Sequence, residues 1–155
     1  MSHETDVWIG KIKDVEKEYY AARFAVDRLL AQVQRDPTIL TANLEVGHIR
    51  NTSRALEATY LMRLFAEFES GVRLYYRLVR KRRPPSKTED LLNSVAARHG
   101  IPHEQLQNAH RVRDYRNTLV HERSEIIEAM TINEARGHLC RYLKYLPPHW
   151  QTRQS

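Results

Sequence analysis

Arg116, Asn117 and His121 are the residues of this 155-residue chain whose types and spacing suit chemistry on a phosphate. A guanidinium grips an oxyanion through paired donors. An imidazole exchanges protons near neutrality, and a carboxamide between them can orient a ring or donate a hydrogen bond. All three lie in the stretch Arg113-Asp114-Tyr115-Arg116-Asn117-Thr118-Leu119-Val120-His121-Glu122, which reads as the end of a helix. At about 100° per residue, Leu106, Ala109, Val112, Tyr115, Leu119 and Val120 share an apolar arc, and Arg116 projects from near its middle. His110, Asp114, Asn117 and His121 follow one another at spacings of four, three and four, forming a polar stripe beside that arc. A charge on a buried face needs a partner or a role. Glu69 is the first candidate carboxylate for Arg116, and Glu67, which points further out, is the second. On a straight helix Arg116 and His121 are about 140° apart. They meet in one site only if the helix ends near His121 or a second copy of the chain completes it. The plainer alternative is a core salt bridge plus a helix-terminal histidine that complements the dipole.

The elements that must position this stretch are helical throughout. Trp8, Ile12, Val15, Tyr19, Ala22, Val26, Leu29 and Val33 recur by four and three, which predicts one long amphipathic helix over residues 5–35. Its apolar seam fits either antiparallel pairing with the next helix or contact with a second copy. Asp36-Pro37 ends it, and residues 37–52, with Asn43 and Gly47 as breakers, read as a connection. A second long helix is expected from Ser53 to Lys81, with Leu61, Phe65, Phe68, Val72, Tyr75 and Val79 on its inner face. Arg77, Arg80, Lys81, Arg82 and Arg83 form the densest basic cluster, before Pro84-Pro85. It is either a solvated helix end or a phosphate-backbone contact. Ser86-x-x-Glu89 suggests a capping box for a short helix ending at Gly100, and Pro102 suits the start of the next. Thr131-x-x-Glu134 caps a last helix, which stops at Pro147-Pro148, and the tail beyond is expected to be loose. The fold class is therefore all-α, an up-down bundle of about five helices forming a single domain over residues 1–155.

Composition bounds the function. The chain is 41% hydrophobic and 28% charged with a formal charge of +6, a balance that favours anionic partners, nucleic acid first. The one cysteine, Cys140, excludes an internal disulfide and supplies no metal motif, so a reducing cytoplasm is the expected setting. No apolar run approaches the roughly 20 residues that cross a bilayer, and residues 1–6 do not read as a secretory leader. The eight histidines show no zinc spacing, and there is no glycine-rich phosphate loop or nucleophile elbow. No cofactor and no metal are expected.

Arg116-Asn117-x-x-x-His121 resembles the Arg-x(4–6)-His motif of the HEPN superfamily (higher eukaryotes and prokaryotes nucleotide-binding domains), in which a polar residue often follows the arginine. The resemblance covers residues 50–147. Phe65-Ala66-Glu67-Phe68-Glu69 is similar to the acidic position on the second helix of many members. The resemblance implies a homodimer whose two Arg/His pairs face a shared cleft. It also implies metal-independent endoribonuclease activity by Arg116 and His121 with Asn117 in support. Arg113 and the Arg80, Lys81, Arg82, Arg83 cluster would contact RNA. It further suggests a toxin–antitoxin or phage-defence setting, with an antitoxin or another defence protein as partner. The alternative is a non-catalytic module of the same type that binds RNA, a nucleotide or a protein.

Overall fold

The computed structural model describes residues 3–121 and 127–151. Among them the chain is an all-α helical bundle. The helices are α1 (Glu4–Arg35), α2 (Val46–Arg80), α3 (Thr88–His99), α4 (His103–His121) and α5 (Ile132–Leu143), with one 3-10 turn at Pro37–Ile39. Among the described residues, no helix is long and apolar enough to cross a membrane.

The α1 seam is spent inside the chain. Trp8 lies against Gly71, Glu18 pairs with Arg63 at 2.8 Å, and Arg23 donates to Ser53 Oγ at 2.9 Å. As numbers rise along α1 they fall along α2, so the two run antiparallel. Ile9, Ile12, Val15 and Tyr19 are buried in the shared core, whereas Ala22 and Val26 are only partly covered. That core continues through Leu61, Phe65, Phe68, Val72 and Tyr75 of α2, Leu91 and Leu92 of α3, Ala109 and Val112 of α4, and Leu139, Tyr142 and Leu143 of α5. Tyr142 reaches across it and donates to Leu92 O at 2.8 Å, which satisfies the one polar atom of a fully buried ring. Cys140 is buried on α5.

Gly71 lets α1 and α2 close on each other. A Cβ there would lie 2.9 Å from Trp8 Cδ2, inside contact distance. Gly71→Ala is expected to cost about 1–3 kcal/mol through overpacking, read as a lowered Tm against wild type.

Four local expectations are corrected. The second helix begins at Val46 rather than Ser53: Glu45 accepts from the His48 backbone while its own N–H donates to His48 Nδ1 at 2.9 Å. This reciprocal cap absorbs the orphan donors, and Gly47 within the first turn costs the helix little. Ser86 does not cap α3; the cap position is Lys87, without a side-chain hydrogen bond, because Arg73 holds the Pro85 and Ser86 carbonyls at 2.7 and 3.0 Å and fixes the start of the helix. Val120 is exposed rather than packed. The chain after Pro148 is not loose at Trp150, whose buried indole donates to Thr5 Oγ1 and Pro147 O at 3.0 Å. By contrast, Thr131 and Glu134 do form the reciprocal cap of α5, and Gly100 closes α3 at φ 60°, the left-handed conformation glycine adopts freely.

Candidate functional site

The α4 stretch lines an open cleft of about 440 Å³ walled by Arg113, Asp114, Arg116 and Asn117 on one side and by Lys87, Thr88 and Glu89 at the start of α3 on the other. Helical spacing puts the four α4 residues on adjoining faces. The wall opposite exists because Arg73 on α2 draws residues 85 and 86 back toward the bundle.

Behind the cleft, one carboxylate organises three elements. Glu69 Oε1 accepts from Arg73 Nη2 at 2.9 Å, Arg73 Nε at 3.1 Å and Thr88 Oγ1 at 2.8 Å. Its other oxygen, Oε2, accepts from Arg116 Nη2 at 3.4 Å. Of the two carboxylates considered for Arg116, Glu69 is the one that pairs. Glu67 makes no ion pair or hydrogen bond among the described residues, since two positions along α2 its side chain has turned away from α4. Arg116 also lies over the Phe65 ring, 4.7 Å from the centroid, a cation–π contact that holds the guanidinium against α2. Among the described residues its Nε is buried without a hydrogen-bond partner. Arg116 is thus held on one edge and has a donor left over.

Arg113 is fixed from the other direction. It donates to Asp114 Oδ1 at 2.8 Å and to His110 Nδ1 at 2.9 Å, and Glu89 Oε2 lies 3.7 Å away. Arginine has no acceptor, so His110 Nδ1 carries no proton. Nε2 therefore does, and it donates to Asn93 Oδ1 at 2.7 Å. His110, expected on a polar stripe, is instead a buried neutral histidine that tethers Arg113, with only 7% of its surface exposed. Burial pushes its pKa below the ordinary imidazole value, the Arg113 charge pushes it further, and Glu89 and Asp114 oppose both.

The linkage has a definite sign. A histidine whose folded pKa is depressed adds its full stability above the unfolded pKa of about 6.5 and loses it as pH falls through the folded value. His99 and His138 are shifted the same way, again chiefly by burial. Wild-type Tm is therefore expected to fall between about pH 7 and pH 5, and His110→Gln is expected to flatten part of that slope in a Tm-versus-pH series. An equal slope in the variant would show that His110 titrates no differently in the folded state.

His121 is exposed at the last described residue of α4 and does not line the cleft. The helix runs unbroken from Arg116 to His121, so the geometry of one chain keeps them on different faces. Residues 122–126 lie outside the described residues. The basic cluster is also separate: Lys81, Arg82 and Arg83 are exposed beyond the end of α2, Arg80 lies over the Tyr76 ring, and none of them lines the cleft. The sequence does not mark Lys87, Thr88, Glu89 or Arg73 as site residues, and it places His110 only on the polar stripe. Only Arg73 left a usable signal, its i,i+4 spacing from Glu69.

Among the described residues no group of three or more His, Cys, Asp and Glu side chains is placed to hold a metal ion. Comparison with protein-family models, curated proteins and solved structures finds no match to this chain.

Proposed function

We propose that the chain is a metal-independent endoribonuclease of HEPN type, working as a homodimer in which the Arg116 and His121 side chains of both copies face one shared cleft, because within a single chain His121 does not line the cleft of Arg116. The observation that carries this reading is the gathering of Arg116, Asn117 and Arg113 on one open cleft, with Arg116 anchored by Glu69 and Phe65. In the proposed reaction His121 takes the proton of a ribose 2′-OH, and O2′ attacks the adjacent phosphorus. The P–O5′ bond breaks, and His121 of the partner subunit returns a proton to the leaving oxygen. Arg116 stabilises the charge that builds on the phosphoryl oxygens, and Asn117 donates to the phosphate or orients the ring. The products are a 2′,3′-cyclic phosphate and a 5′-hydroxyl. On this reading the bundle is an up-down, HEPN-like one, and the setting is a toxin–antitoxin or phage-defence system.

The test is incubation of RNA and of the matching DNA in EDTA, followed by analysis of the ends. Cyclic phosphate ends on RNA, undiminished by EDTA and absent with DNA, are expected. A strict Mg²⁺ requirement or 3′-hydroxyl products would reject the scheme.

One observation favours a second reading, a non-catalytic RNA- or nucleotide-binding or protein-interaction module. Arg116 already has a carboxylate and an aromatic partner inside its own chain, which is sufficient reason for an arginine at that position. Binding of RNA in the cleft without turnover would select it.

A further inference from the structure

We infer that the outward face of α1 is a docking surface for single-stranded nucleic acid, distinct from the cleft. Lys13, Lys17, Tyr20, Phe24, Arg28 and Arg35 fall within about 80° of arc at helical spacing and run for about 33 Å along the axis. All six are exposed. Phe24 is 69% and Tyr20 48% exposed, far more than large apolar rings on a helix that already has a buried seam would need to be. Four cations flank the two rings, and none of the four has a carboxylate partner among the described residues. Asp27, one turn from Phe24 at the margin of the arc, is paired with Arg23 at 3.0 Å. α1 packs on α2 and α5, whereas the cleft is walled by α3 and α4.

The chemistry of the face selects its occupant. Cations in line with exposed aromatic rings match a flexible polyanion whose bases offer π faces for stacking. A second copy docked by a two-fold axis would set this face against itself and bring like charges together, which association disfavours. A lipid surface calls for a continuous apolar face, and here only two rings interrupt a row of charges. This surface does not rest on cleavage in the cleft, and it adds affinity for the strand without adding chemistry.

The probe is a short fluorescent oligouridylate with 2′-O-methyl riboses, which binds but cannot be cut by 2′-OH attack, titrated by anisotropy at several salt concentrations. Tyr20→Ala and Phe24→Ala, both at exposed positions, are expected to keep the wild-type Tm and to weaken binding about tenfold each. Replacing Lys17 and Arg28 together with Gln should lower the slope of log K against log salt by about 0.7 for each cation. Arg116→Ala should keep the oligouridylate affinity that depends on Phe24. Undiminished binding in both aromatic variants would overturn the inference, as would absence of wild-type binding. So would conversion of a wild-type dimer to monomer by Phe24→Ala, which would make the face a contact between copies. Tyr20- and Phe24-dependent binding to phosphatidylserine vesicles, uncompeted by the oligouridylate, would assign it to membranes. If wild type binds through Phe24 but cuts no RNA, the catalytic reading fails and this surface stands.

Discussion

Arg116→Ala is expected to lower RNA cleavage by about a hundred- to a thousand-fold, the usual cost of removing one preorganised donor from a developing oxyanion. The loss should appear in kcat, because the guanidinium bonds tighten as charge builds on the phosphate. Arg116→Lys should recover little: an ammonium cannot present two parallel donors to the phosphate, and it lacks the planar guanidinium that Arg116 places over Phe65. His121→Ala should cost about a hundred- to ten-thousand-fold, the range for a general acid–base group. His121 is exposed at the end of α4, so this variant should keep the wild-type Tm. Single-turnover assays on folded variants, with light scattering to confirm an unchanged oligomeric state, provide the check. Full activity in folded His121→Ala would remove the histidine from the mechanism.

Glu69→Ala is the second large effect, and it acts on both stability and activity. It leaves the Arg73 and Arg116 guanidiniums without their shared carboxylate and Thr88 Oγ1 without its acceptor. Glu69 is 22% and Arg116 25% exposed, so solvent recovers part of the loss and the cost stays below that of a fully buried pair. About 2 kcal/mol is expected, which for a chain of this size lowers Tm by roughly 4–8 °C. Cleavage should fall as well, although Glu69 touches no substrate, because Arg116 loses the contact that aims it and the α3 wall loses its tie to α2. Glu67→Ala serves as the control and should change neither property. A Glu69→Ala protein with wild-type Tm would mean that the carboxylate does not organise the three elements.

The two sides of this site differ in how far the sequence discloses them. Period-3.5 and period-3.6 spacing exposes the helices directly, and local chemistry places Gly100 and the Thr131–Glu134 cap because each depends on residues within one turn. Arg116 and its partner Glu69 are also legible, since a cation on an apolar arc demands a carboxylate from the facing helix. The start of α2 is hidden by Gly47 and by a cap that uses His48 where Glu or Gln is usual. The cleft wall at Lys87 and Thr88 is hidden for another reason: it depends on Arg73 reaching across to two backbone carbonyls, a contact that no periodicity records. His110 misleads because its spacing is that of a polar stripe, while Asn93 and Arg113, one distant and one a turn away, satisfy both ring nitrogens and permit burial.

The most direct test of the central claim is a DNA oligonucleotide carrying one ribonucleotide, incubated in EDTA with wild type, Arg116→Ala and His121→Ala. Wild type is expected to cleave only on the 3′ side of the ribonucleotide, leaving a 2′,3′-cyclic phosphate, and both variants are expected to be inactive. Cleavage at deoxyribonucleotide positions, or equal cleavage by all three proteins, would contradict that claim.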